Sequence, residues 1–156
     1  MNLNKFKPLR EAEKKINNHL FVICSVVTVI VMVMKLTEFF SRGSFYPEKM
    51  GFFYLGVLII YSLHKEMLRW IGSRKVERQG EYFVYSWIVF TTILYVVNFF
   101  TKGYFSHSQE GFSLDTLNDI SIISIEVLGI FILTRSLKIL KVVLDKKRRV
   151  KFHVEH

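Results

Sequence analysis

At 156 residues, with 51% hydrophobic side chains and a mean hydropathy of +0.28, the chain is rich in apolar residues for a soluble domain. Its formal net charge of +9 is gathered into clusters between apolar blocks. A single cysteine, Cys24, excludes an intrachain disulfide and a C-x-x-C redox centre.

Four apolar blocks lie at 20–40, 51–71, 82–100 and 120–140. Each is close to the ~20 residues that cross a ~30 Å hydrocarbon core. The expected fold is an all-α integral membrane protein, a four-transmembrane-helix antiparallel bundle forming one membrane domain over 1–156. Spans of this kind leave no room for a separate soluble domain.

The first block follows a basic arm over 1–19, with Lys5, Lys7, Arg10, Lys14 and Lys15. Pro8 marks a helix start, Glu11 and Lys15 form an i,i+4 pair, and Phe6, Leu9, Ile16 and Leu20 suit a lipid-facing side. The apolar run continues into Lys35-Leu-Thr-Glu-Phe-Phe with no A-x-A-like cleavage site, so an uncleaved helix is expected rather than a signal peptide. A turn over 41–50 follows, carrying Gly43 and Pro47 with Phe45 and Tyr46 at the interface.

The second block is the weakest. Its unbroken run over 51–63 gives only about 20 Å of helix. It spans if Lys65, Glu66 and Arg69 snorkel to the interface while Met67, Leu68, Trp70 and Ile71 stay against lipid. Charge argues that it does. With four crossings and an inner N-terminus, eighteen of the 22 basic residues lie inside, leaving Lys35, Arg42, Lys49 and Lys102 outside. Without the second crossing the later two basic clusters move outside, against the positive-inside rule. Both termini are therefore expected on the cytoplasmic side.

A charged turn over 72–80 leads to the third block, and a long exterior loop over 102–118 leads to the fourth. After the fourth, a basic tail over 141–156 continues the helix. Leu137, Leu140, Val143 and Leu144 extend an apolar stripe, while Lys141, Lys146, Lys147, Arg148, Arg149 and Lys151 face water. This amphipathic basic C-terminal helix extension is expected to rest on anionic lipid headgroups, with the last five of those cations in contact, rather than on nucleic acid.

Two ionisable residues fall within spans. Glu126 sits about 9 Å below Ile120 and Lys35 about 7 Å inside Phe40. A charge there must be paired, neutral or in a wet cavity, so an intramembrane Lys35–Glu126 pair joining the first and fourth helices is expected, with Glu38 and Asn98 at similar depth. Gly129, one turn beyond Glu126, would admit a neighbouring helix. The edge His64-Lys-Glu66 with Arg69 is a solvated interface able to meet a lipid phosphate. A catalytic role there would need Tyr61, Ser62, Tyr85 or Ser86 close by, which their spacing does not force.

His107-Ser-Gln-Glu110 and His153-Val-Glu155-His156 lack the spacing of a structural zinc motif. No catalytic, cofactor or metal signature is expected. With one alanine, fifteen phenylalanines and no G-x-x-x-G, the helices should interdigitate large side chains at wide separation. The same bias fits an AT-rich genome, hence a bacterial cytoplasmic membrane. The sequence thus points to a non-enzymatic accessory or scaffold subunit that meets lipids and a partner protein or a second copy. An oligomeric channel or small transporter using Glu126 is the alternative, and a lipid-active membrane enzyme a more distant one.

Overall fold

The structure, a computed structural model, describes residues 7–45, 49–71 and 80–154, with side chains over 15–45, 49–70, 80–144 and at 146. Four long helices account for nearly all of it: α1 (Lys7–Phe40), α2 (Met50–Ile71), α3 (Glu81–Phe100) and α4 (Thr116–Val154), with one 3₁₀ turn at Tyr104–Ser106. No β-strand occurs among the described residues, only an isolated bridge between His107 and Ser113. Three helices are long and apolar enough to cross a membrane, at Lys15–Phe40, Glu81–Phe100 and Thr116–Leu144. In α2, His64, Lys65, Glu66 and Arg69 dilute the apolar run, as its sequence foreshadows.

Buried positions on each helix recur in steps of four and three. On α1 they are Cys24, Thr28, Val31, Lys35 and Glu38, and on α2 Tyr54, Leu58, Tyr61, Lys65 and Leu68. On α4, Thr116, Ile120, Ile123 and Val127 repeat the pattern. A seam of about 3.5 residues per repeat is that of helices packed near +20°, the geometry of bundles. The interior is also less aliphatic than the exterior. Val22, Val26, Val29 and Val33 of α1 and Ile122, Ile125, Ile132 and Leu133 of α4 are exposed, while Thr28, Tyr54, Trp87 and Ser124 are buried. Water would reward the reverse arrangement; lipid tails make this one favourable.

The seam is filled by aromatic rings. Trp87 Nε1–H donates to the Tyr54 hydroxyl at 2.7 Å, and that hydroxyl lies 3.5 Å from Thr28 Oγ1, joining α3, α2 and α1 at mid-height. Below them Phe21, Tyr61 and Phe83 meet with ring centroids 5.7–6.2 Å apart. Between α3 and α4 the ties are hydroxyls: Thr91 to Ser124 at 2.5 Å and Tyr95 to Ser121 at 2.9 Å. Gly129 does not act as a close-approach site. It is exposed, and a Cβ placed there meets nothing within 4 Å.

Helix ends follow a rule the sequence did not reveal. At the end of α1, Arg42 is left-handed (φ 55°), its N–H donates to Phe39 O at 3.3 Å, and Gly43 N–H donates to Glu38 O at 3.2 Å. At the end of α3, Lys102 (φ 54°) and Gly103 repeat both bonds, to Phe99 O at 3.0 Å and Asn98 O at 2.8 Å. Both are Schellman caps with a basic residue in the left-handed position, where its charge also complements the helix dipole. Arg42 then clasps the loop before α4. Its Nε–H donates to His107 O at 2.7 Å, Nη2 to Ser108 O at 2.5 Å, and its guanidinium lies 4.3 Å from the Tyr104 ring centroid.

The two capping glycines differ in surroundings, which separates backbone from packing. A Cβ at Gly43 (φ +80°) meets Leu114 Cδ2 at 2.7 Å, whereas one at Gly103 (φ +78°) meets nothing within 4 Å. Gly103→Ala is expected to destabilise by about 1 kcal/mol through backbone strain alone. Gly43→Ala should lose more, roughly 2–3 kcal/mol, because Leu114 must also move. Unfolding in mixed detergent micelles measures both; equal losses would mean that the loop does not pack on the α1 cap.

Candidate functional site

Charged side chains collect at the two ends of the bundle. At one end Lys35, on the buried seam of α1, places its ammonium 2.8 Å from Glu38 Oε2 and 3.4 Å from Asp119 Oδ2. Glu38 is 1% exposed, and its other oxygen accepts a hydrogen bond from Thr116 Oγ1 at 3.1 Å. The tie from α1 to α4 thus reaches the first turn of α4, where Asp119 also suits the helix dipole.

Glu126 lies two turns further along α4 on the same side, ~10 Å away. It is exposed and lines a cavity of about 250 Å³ between α2 and α4, together with Lys35, Lys49 and Asp119 over a floor of Leu55 and Ile123. Lys35 and Glu126 both line this cavity. Among the described residues, however, the carboxylates within 4.0 Å of the Lys35 ammonium are those of Glu38 and Asp119. The sequence reading missed Asp119 because it started the fourth helix at Ile120; the helix begins at Thr116. Asn98, expected near this group, keeps a buried Oδ1 without a hydrogen-bond partner.

At the other end a smaller cavity of about 80 Å³ sits between α2, α3 and α4. Lys65, Glu66, Arg69, Glu81, Arg135 and Lys138 supply its charges. Arg69 pairs with Glu66 and Arg135 with Glu81. Lys65 approaches the Tyr61 hydroxyl at 3.3 Å and its ring centroid at 5.4 Å. Lys141 of α4 donates to the Arg69 carbonyl, satisfying one of the last backbone acceptors of α2. His64 is not on this cavity wall, and its Nε2 is buried with no hydrogen-bond partner. Tyr61 and Ser62 do line it; Tyr85 and Ser86 are exposed on α3.

Among the described residues no three His, Cys, Asp or Glu side chains stand close enough to share a metal ion. His107 sits in the loop before α4 with Nδ1 3.1 Å from Gly103 O, and the side chains of His153, Glu155 and His156 lie outside the described residues. Lys146 is exposed, while the side chains of Lys147, Arg148, Arg149 and Lys151 lie outside them too, although the α4 backbone runs through these positions. The backbone of α1 likewise runs unbroken through the basic arm from Lys7, with Pro8 in its first turn.

Comparison of the chain with protein-family models, with curated proteins and with solved structures finds no match.

Lys35 and Glu38 are each buried, and removing either takes the 2.8 Å partner from the other, leaving Glu38 its Thr116 bond and Lys35 its longer contact to Asp119. Lys35→Met and Glu38→Leu are each expected to destabilise by about 2–4 kcal/mol, with most of the loss recovered in the double variant. The matching cycle of Lys35 with Glu126 should show a weaker coupling, since Glu126 is exposed and Lys35 has nearer carboxylates. Stability in detergent or bicelles reads both cycles. Stronger coupling to Glu126 than to Glu38 would place the ammonium beside the wrong carboxylate.

Proposed function

We propose that the chain is a four-span membrane protein with both termini cytoplasmic, acting as a non-enzymatic accessory subunit for another membrane protein. Several features support the second crossing. Gly51 of α2 lies against Ile123 of α4 near the Lys35 cluster, and Arg69 at the other end of α2 receives the Lys141 bond. Helix α2 thus runs beside α4 from one charged layer to the other, as a fourth span would. The excess of basic residues on the inner loops agrees with that orientation.

Glu126 carries the proposal of a partner. It is an exposed carboxylate among exposed Ile122 and Ile125, about 15 Å along α4 from Thr116. A carboxylate facing hydrocarbon is strongly disfavoured, and a partner helix presenting a lysine, arginine or hydroxyl at that depth would cover it. The expected occupant is a membrane helix of a different protein, seated between α2 and α4. The basic extension of α4 would lie on anionic headgroups beside it. A second reading, ion handling by copies of this chain, draws on the charged lining of the same cavity; it would show as liposome flux that falls in Glu126→Gln.

A photo-crosslinking residue at Ile122 should yield a heteromeric adduct in native membranes, whereas one at exposed Val89 on α3 should give lipid adducts alone. Glu126→Leu should reduce the Ile122 adduct severalfold. A self-adduct at Ile122, or lipid adducts at both sites, would contradict the accessory role.

A further inference from the structure

The smaller cavity, between α2, α3 and α4, has chemistry that the accessory role does not use. Among the described residues it is lined by four cations, Lys65, Arg69, Arg135 and Lys138, and two carboxylates, Glu66 and Glu81. The carboxylates are already engaged by Arg69 and Arg135. Among the described residues Lys138 makes no hydrogen bond or ion pair, and its ammonium is available to a ligand anion. Glu66 contributes the opposite requirement. The residue is 6% exposed, its Oε1 holds Arg69, and its Oε2 is buried with no hydrogen-bond partner. Beyond the charges the wall combines the hydroxyl residues Tyr61, Ser62 and Thr134 with an apolar side of Leu58, Val84, Val127 and Phe131.

A ligand fitting this wall needs an anionic group for the cations, a hydrogen-bond donor for Glu66 Oε2, and an apolar portion. We infer that the cavity binds the headgroup of an anionic glycerophospholipid whose phosphodiester is followed by a free hydroxyl, as in phosphatidylglycerol. The phosphate oxygens lie among Lys138, Lys65 and the guanidinium groups, where charge-assisted bonds are strongest. The headgroup hydroxyl donates to Glu66, and an acyl chain leaves along the exposed aliphatic face. A zwitterionic lipid offers a donor as well, but it brings a positive charge of its own among Lys138, Arg69 and Arg135. Basic pockets between helices at the cytoplasmic boundary are suited to such headgroups. Only the placement of the cavity in the headgroup layer rests on the four-span reading; its binding chemistry does not.

Binding in detergent micelles tests the inference apart from topology. The probes are short-chain phosphatidylglycerol, phosphatidylmethanol (the same charge without the hydroxyl), phosphatidylcholine and soluble glycerol phosphate, each titrated against the folded protein. Phosphatidylglycerol should bind several times more tightly than phosphatidylmethanol, and both more tightly than phosphatidylcholine. Lys138→Gln should weaken phosphatidylglycerol about tenfold, while Lys102→Gln, at the opposite end, leaves it unchanged. Glu66→Gln should narrow the preference for phosphatidylglycerol over phosphatidylmethanol without abolishing anion binding. Equal affinity for phosphatidylglycerol and phosphatidylcholine, or a Lys138→Gln variant that folds and binds normally, would overturn the site. Equal affinity for the two anionic lipids would overturn the role of Glu66. Glycerol phosphate binding as tightly as the lipid would assign the cavity to a soluble phosphate ester instead.

Discussion

A buried seam repeating about every 3.5 residues governs where each side chain of this bundle can go. The seam does not stop where the apolar residues stop. On α1 it passes from Val31 to Lys35 and Glu38, and on α2 from Tyr61 to Lys65, so these charges are carried inward by helix geometry. Having been placed inside, they need partners. Glu38 and Asp119 answer for Lys35, Thr116 answers for Glu38, and the Tyr61 ring and hydroxyl lie against Lys65. The charged layers at the two ends follow from the same packing rule that builds the aromatic middle.

Large side chains on the seam explain the character of that middle. With a single alanine and no G-x-x-x-G the helices cannot approach closely, and rings fill the gap. Rings bring polar handles with them. The Trp87–Tyr54–Thr28 chain and the hydroxyl pairs between α3 and α4 satisfy these groups within the bundle, where lipid offers no substitute. The outer surface is left to valine and isoleucine. Glu126 breaks that surface, and the cavity beside it is where α2 and α4 leave room.

Much of the helical layout is legible from composition alone. The apolar blocks locate α2 and α3 to within a residue at either end, because charges and glycines bound them closely. The ends of α1 and α4 are less visible. Basic residues continue a helix as readily as they end a span, so α1 starts at Lys7 and α4 runs to Val154. The partner of Lys35 is obscured for a related reason. Depth along separate helices matches Lys35 with Glu126, but depth says nothing about which face a residue occupies. The nearest carboxylate among the described residues, Glu38, is on the same helix three residues on, and Asp119 reads as loop until Thr116 is seen to start α4. Similarly, Arg42-Gly43 and Lys102-Gly103 look like polar turns, and only their backbone angles reveal two matching caps. The smaller cavity gathers residues from three helices, a convergence that spacing along one chain does not encode.

The sidedness of the loops and termini depends on whether α2 crosses the bilayer. Cysteine accessibility measures this directly, because native Cys24 is fully buried and silent toward an aqueous reagent. Gln109→Cys lies in the exposed loop before α4, and Lys146→Cys lies on the exposed part of its extension. In intact cells a membrane-impermeant maleimide should label Gln109→Cys at once, and Lys146→Cys only after the membrane is opened. If α2 does not cross, α3 and α4 reverse together, and the result inverts: Lys146→Cys labels in intact cells while Gln109→Cys is protected.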